Sequence, residues 1–220
     1  MIRRGILMRK LIRHITIHPL FFLCLAWIVL TDSTFHLLAI ASAIFLHECG
    51  HVVVYAMSKI CIDEIRLQPF GVRISPDPHV HISYRVQGVC AVAGPTMNFI
   101  CVGICFALSH ILLFPQWLTT FYAASLFLGL FNMLPIVPMD GGRFLYAIIA
   151  GAGYEYAAQR ISAICGFICG LALLIFGTVV LVQSQMNLSL CILSSYMLIC
   201  LSVKVYQFQK KRKPNAKSKP

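Results

Sequence analysis

Charge is what this sequence has least of, and negative charge above all. Only 7 of its 220 residues are Asp or Glu, all charged residues together make up 11 %, and 59 % of the residues are hydrophobic. A soluble domain carries charge on about a quarter of its residues, because its surface faces water. The scarcity of charge therefore excludes an ordinary soluble protein and predicts an integral membrane protein.

The chain also lacks an internal repeat, a low-complexity linker and room for a separate soluble domain. Since a hydrocarbon core of about 30 Å takes roughly 20 apolar residues in a helix, we count six candidate spans. They lie at about 19–31, 35–58, 88–113, 117–134, 161–183 and 188–206. The predicted fold class is an all-α polytopic membrane protein, with a transmembrane domain over residues 1–206 and a basic, disordered cytoplasmic tail over 207–220.

Positive charge is present but confined to a few places. All 18 Lys and Arg residues lie before the first span, in 59–87, in 135–160 or at the C-terminal end. Six spans put these four segments on one side of the membrane, and the positive-inside rule makes that side the cytoplasm. We therefore expect a multi-pass protein of the cell membrane, with both termini cytoplasmic. The net charge of +11 then reflects topology and anionic lipid, not a nucleic-acid partner.

The N-terminal region has features of a signal peptide, a basic start followed by an apolar run. No small-x-small cleavage site follows before Phe35, so we expect an uncleaved helix. Basic and aliphatic residues alternate at helical spacing over 2–17, which predicts a helix lying along the membrane interface.

Ionisable side chains inside the second span give the strongest functional signal. "FLHECGHVVV", residues 45–54, places His47 and His51 four residues apart, so on a helix both imidazoles can reach one metal ion. Glu48 stands beside them, where a carboxylate can take a proton from water. H-E-x-x-H is the zinc metalloprotease signature. Counted from Phe35, the two histidines lie roughly 18–24 Å into the membrane, in its cytoplasmic third. The alternative, histidines that only pack helices, is disfavoured by the depth of Glu48.

A catalytic zinc site usually has three protein ligands and an open position. The best candidate for the third is Asp140, in "FNMLPIVPMDGGRF", residues 131–144. Pro135 and Pro138 cannot continue a regular helix, so we expect a loop or half-helix tipped by this carboxylate. A plain Pro/Gly turn with a solvated Asp140 is the alternative.

Together these motifs resemble the site-2 protease family of intramembrane zinc metalloproteases, which pairs H-E-x-x-H with N-x-x-P-x-x-x-x-D-G. "LPIVPMDGGR", "IHPLFF", "QPFG" and "AGP" are similar to its bacterial sporulation-type branch, which processes a membrane-associated sigma-factor precursor. The resemblance covers about residues 14–206. It implies one zinc ion per chain, held by His47, His51 and Asp140, with Glu48 as general base and then general acid. It also implies that Asn132 and Pro135 bind substrate.

The same resemblance implies transmembrane or membrane-associated protein substrates and membrane partners that regulate cleavage. Members of that branch often carry a C-terminal CBS domain that binds nucleotide. This sequence has a basic tail there, so regulation through such a domain is not expected.

The segment between spans two and three contains strand-like runs around Ile65–Leu67, Val72–Ile74 and Val80–Tyr84, separated by Pro and Gly. They predict a short β-hairpin, and we hypothesise that an edge strand within 65–74 pairs with an extended substrate. After this segment, Gly94 and Pro95 are expected to open span three, and Asn98 is a candidate to pack against the site.

Other functions also place His and Asp at membrane depth. A metal-ion transporter would show inverted repeats and polar residues along a path, and spans five and six have almost none. A membrane-anchored protease with its site outside the bilayer would carry H-E-x-x-H beyond a span end. An inactive scaffold of the same fold stays open until activity is measured.

Overall fold

A computed structural model describes residues 12–17, 34–68, 71–111, 113, 115–136, 139–184 and 189–212. Within these residues lie six helices and three strands, which confirms a mostly helical chain. Their order is β1 (Ile12–Ile17), α1 (Thr34–Met57), β2 (Ile62–Gln68), β3 (Gly71–Pro76), α2 (Tyr84–Ser109), α3 (Gln116–Asn132), α4 (Asp140–Gly151), α5 (Glu155–Ser184) and α6 (Ser189–Arg212). The chain divides into two compact units, one ending at Leu130 and the other beginning at Phe131.

Three of the helices are long and apolar enough to cross a membrane, and they contain the stretches His36–Met57, Tyr84–Ser109 and Glu155–Gln183. Their outer faces carry large apolar side chains, since Phe45, Phe106 and Phe176 are 68 %, 59 % and 58 % exposed. Surface of this kind needs lipid or protein to cover it. The spans predicted at 35–58, 88–113 and 161–183 therefore match helices of the required length.

Two of the other three predicted spans fall on helices shorter than a full membrane span, and the third is not tested. Helix α3 has 17 residues, or about 26 Å at 1.5 Å per residue, and the apolar part of α6 is the shorter stretch Cys191–Val203. The first span, 19–31, lies outside the described residues. Helix α6 ends at Arg212, so the predicted tail boundary at 206 falls inside a helix, while residues 213–220 also lie outside the description.

In the first unit, the strands form one sheet in the order β1–β2–β3. β2 and β3 are the predicted hairpin: they are antiparallel, and Ile65 pairs with Ile74. β1 runs parallel to β2 on the other side, so the interfacial helix predicted for 2–17 is wrong over residues 12–17. The β-branched residues of "IRHITI" favour a pleated strand. Since β2 has a neighbour on each side and β3 is an outer strand of the described sheet, the edge strand hypothesised within 65–74 corresponds to β3 and not to β2.

Helix α2 begins at Tyr84, earlier than predicted. The Ser83 hydroxyl caps it by accepting a hydrogen bond from the Val86 N–H at 3.4 Å. The third predicted strand, Val80–Tyr84, is therefore not formed, because its last residue is the first of the helix. Gly94 and Pro95 accordingly lie inside the helix and not at its start. Small buried residues, Ala43 on α1 and Ala91 on α2, suit the close packing of these two helices.

In the second unit, the described residues between Phe131 and Asp140 are joined by backbone hydrogen bonds of short range. The N–H of Ile136 donates to the Leu134 carbonyl at 2.7 Å, and the N–H of Met139 donates to the Ile136 carbonyl at 2.6 Å. The Ile136 side chain is fully buried. Beyond it, α4 is the half-helix that the sequence led us to expect, with Asp140 as its first residue.

Candidate metal centre

One turn of α1 carries two buried histidines, His47 and His51. Their Nε2 atoms lie 3.3 Å apart, and their rings meet edge to face at an interplanar angle of 75°. Two zinc–nitrogen bonds of about 2.0–2.1 Å at a tetrahedral angle would place the nitrogens roughly 3.3–3.4 Å apart. The pair therefore has the spacing that a shared zinc ion requires.

The second histidine is held from behind by α2. The Nδ1–H of His51 donates to the backbone carbonyl of Cys90 at 2.8 Å. A carbonyl oxygen can only accept, so this bond keeps the ring proton on Nδ1 and leaves the lone pair on Nε2. His51 is thus fixed in the tautomer that a metal ligand needs.

The first histidine also meets a group of α2 on its far side. The Nδ1 atom of His47 lies 3.2 Å from the side-chain amide of Asn98, a residue that is fully buried. Both imidazoles are therefore held through Nδ1 and present Nε2 to the same place.

Gly94 of α2 lies directly against the space that the two Nε2 atoms face. A Cβ atom added at Gly94 would lie 2.7 Å from Nε2 of His47 and still closer to Nε2 of His51. Contacts under 3.0 Å are essentially never made by a real Cβ atom, so only glycine leaves the two nitrogens free. The sequence reading placed this residue at a helix start and missed its role.

The carboxylate candidate, Asp140, is buried and occupies the first turn of α4. The partial positive charge at a helix N-terminus favours a carboxylate there. Arg143, one turn further on and 55 % exposed, has its Nη1 3.6 Å from Oδ1 of Asp140. Gly141 permits this arrangement, because a Cβ atom there would run into the carbonyl oxygen of Met133.

The ligand atoms of His47, His51 and Asp140 all lie within 4.8 Å of one another, and all three side chains are buried. Two imidazoles and one carboxylate form a donor set that suits zinc and leaves a fourth position for water or substrate. The predicted His-His-Asp cluster is therefore confirmed, and its residues fit a zinc ion.

The remaining predicted site residues occupy distinct positions along the chain. Glu48 follows His47 on α1 and is half-buried, Asn132 is the last residue of α3, and Pro135 lies in the link to α4. Their roles in catalysis and substrate binding stay predictions.

Of three groups that support the histidines, the sequence offered only Asn98 as a candidate to pack against the site, and it missed the roles of Cys90 and Gly94. Cys90, Gly94 and Asn98 follow one another at intervals of four residues on α2, which places them on one face of the helix. This spacing is the signal that could have found them.

Comparisons with known proteins agree with this centre. The profile of Peptidase family M50 matches residues 110–177, which include Asp140. Stage IV sporulation protein FB of Bacillus subtilis is 27 % identical over 143 residues, which cover 64 % of this chain and 49 % of that protein. Zinc metalloprotease MJ0392 of Methanocaldococcus jannaschii is 31 % identical over 160 residues, covering 70 % of this chain and 44 % of that protein. The chain thus spans about half the length of the curated relatives it matches.

A solved structure is also similar. The Site-2 Protease from Methanocaldococcus jannaschii superimposes with a TM-score of 0.62 at 27 % identity, covering 86 % of this chain and 89 % of that one. The likeness therefore extends over most of the fold.

Proposed function

Because this chain belongs to peptidase family M50, the family of the site-2 proteases, we propose that it is an intramembrane zinc metalloprotease. It hydrolyses peptide bonds of membrane-embedded or membrane-associated proteins near the cytoplasmic face. The buried cluster of His47, His51 and Asp140 is the observation that carries the proposal. The position of the two histidines on a helix of membrane-spanning length and hydropathy supports a site within the bilayer.

The site residues divide the chemistry among them. His47, His51 and Asp140 would hold one zinc ion, which would act there as a Lewis acid and lower the pKa of a water molecule to about 7. Glu48 accepts the proton of the attacking water and then donates it to the leaving amine. Asn132 and Pro135 bind the substrate backbone beside the scissile bond.

A peptide bond inside an intact helix is shielded, so the substrate has to unwind before it is cut. β1 and β3 are the outer strands of the described sheet, and an outer strand can pair with an extended chain through main-chain hydrogen bonds. We propose β3, Gly71–Pro76, for this role, because it is an outer strand and overlaps residues 65–74, the segment for which substrate pairing was hypothesised.

Location and substrate class follow from the same reading. Six spans with the basic segments in the cytoplasm satisfy the positive-inside rule, so we propose a multi-pass bacterial cell-membrane protease. The narrower proposal, a sigma-factor precursor as substrate, rests on the sporulation-type motifs and on the relative named Stage IV sporulation protein FB. Membrane partners that restrain cleavage belong to this narrower proposal.

The test is cleavage in a reconstituted bilayer. Purified wild-type protein is mixed with a set of tagged single-pass transmembrane helices, with and without a zinc chelator, beside Glu48→Gln. We expect cleavage that the chelator abolishes and added zinc restores. Glu48→Gln should keep zinc and lose activity by about 10²–10⁴-fold, the usual contribution of general acid–base catalysis.

Three outcomes would contradict the proposal in different ways. Zinc transport into vesicles without proteolysis would favour the transporter. A wild-type protein that binds zinc and cuts none of the tagged helices would favour the inactive scaffold. Equal cleavage by wild type and Glu48→Gln would remove the assigned role of Glu48.

A further inference from the structure

Asn98 is a polar side chain beside the centre to which the proposed function assigns no task. It is 0 % exposed, although amides are mostly found at protein surfaces. Asn98 lies on the same face of α2 as Cys90 and Gly94. The Cys90 carbonyl accepts a hydrogen bond from His51, and the backbone of Gly94 lies against the Nε2 atoms of both histidines. The Asn98 side chain lies beside the His47 ring.

Only one end of the Asn98 amide has a hydrogen-bond partner among the described residues. Its Nδ2 lies 3.2 Å from Nδ1 of His47, while its Oδ1 is buried and has no hydrogen-bond partner among the described residues. A buried amide oxygen without a donor is costly.

The tautomer of His47 decides which end of the amide should face the ring. If Nε2 binds the metal, the ring proton sits on Nδ1, and Nδ1–H needs an acceptor that an amide nitrogen cannot provide. The oxygen and nitrogen of an amide occupy nearly the same space, so the hydrogen-bond network decides which is which. A half-turn of the Asn98 amide gives the His47 proton an acceptor and gives Oδ1 a donor, while Nδ2 moves to the buried position that Oδ1 held.

We propose that Asn98 is a positioning residue for zinc, whose amide oxygen accepts the Nδ1–H of His47 and fixes the tautomer that binds through Nε2. The inference rests on the proposed zinc site. It makes α2 the source of both outer partners, a backbone carbonyl for His51 and a side-chain amide for His47. Only the second can be removed by substitution, and loss of such a partner typically weakens metal binding by about 10- to 100-fold.

Two substitutions separate hydrogen bonding from packing. Asn98→Leu keeps a similar volume and removes the acceptor, whereas Asn98→Asp keeps only acceptors. Ser125→Ala is the matched control, because Ser125 is also fully buried in the first unit and its hydroxyl has no hydrogen-bond partner in the described part of the chain. Asn98→Ala replaces the leucine variant if that variant does not fold.

The readouts are zinc affinity by competition with a chromophoric chelator and the visible spectrum of the cobalt-loaded protein. We expect Asn98→Leu to weaken zinc binding by about 10- to 100-fold and to alter the cobalt spectrum. Asn98→Asp should bind at least as tightly as wild type, since a carboxylate is the stronger acceptor. Ser125→Ala should leave both readouts unchanged.

If Asn98 only filled space, Asn98→Asp would bind zinc more weakly than Asn98→Leu, because a buried charge without a partner destabilises the fold more than a leucine does. Asn98→Asp binding zinc more weakly than Asn98→Leu, or Asn98→Leu binding as wild type does, would overturn the inference and leave the protease proposal standing. A wild-type protein that binds no zinc would overturn both.

Discussion

Substitution of Gly94 by alanine is the smallest change that should empty the metal centre. The added methyl group would sit 2.7 Å from Nε2 of His47 and closer still to Nε2 of His51. Carbon atoms and their neighbours are comfortable at about 3.5 Å or more, so the His47 ring has to retreat by roughly 0.8 Å and the His51 ring by more. Zinc–ligand distances tolerate changes of only about 0.2 Å.

The size of the effect follows from this mismatch. Loss of an outer hydrogen-bond partner weakens metal binding by about 10- to 100-fold, and displacement of a ligand itself should cost at least the upper figure. We therefore expect Gly94→Ala to bind zinc at least about 100-fold more weakly, with a comparable loss of cleavage.

Gly103→Ala is the matched control on the same helix. A Cβ atom at Gly103 meets nothing within 4 Å, while both substitutions gain about 1 kcal/mol of helix propensity. Zinc per chain is measured at fixed free zinc, and thermal unfolding in the same detergent tests the fold. Wild-type zinc affinity in a folded Gly94→Ala, or equal losses in both variants, would refute the reasoning from the clash.

Three further predictions concern the other elements of the site. Asp140→Asn should lose bound zinc and turnover together, since an amide is a weaker ligand than a carboxylate; metal analysis and cleavage assays check this, and unchanged turnover would exclude Asp140 as a ligand. Ile74→Pro in the outer strand β3 should reduce cleavage while zinc content stays at the wild-type level, with Ile74→Val as the control; normal cleavage by the proline variant would disprove substrate pairing at this strand. Asn132→Ala should raise KM or lower kcat without changing zinc affinity, measured by steady-state kinetics and chelator competition, and a variant that cleaves normally would have no substrate contact at this residue.

Most of the features that could be predicted from the sequence depend on short stretches of chain. His47 and His51 share a face because of the helical repeat, and the prolines near Asp140 forecast a break in the helix, so both parts of the centre could be read from short stretches. The long apolar helices were visible for the same reason, since length and hydropathy are local properties. Their ends were less certain, as the Ser83 cap shows.

Contacts between distant segments could not be read in this way. β1 pairs with β2 across a long stretch of chain, with Ile15 opposite Ile65, and no local pattern specifies that partner. The bond from His51 to the Cys90 carbonyl depends on how α1 packs against α2. Gly94 was misread because a proline inside a helix is unusual and is tolerated best in the first turn, whereas here Gly94 and Pro95 lie inside α2 where two helices approach closely.

The parallel pairing of β1 with β2 matters for anyone who handles this protein. Residues 12–17 cover one side of the central strand, and removal or distortion of that segment would leave the β2 backbone groups open on that side. Uncovered strands recruit other chains. A purification tag or trimmed start that unseats β1 could therefore produce oligomers in detergent that reflect a missing sheet neighbour and not a native assembly.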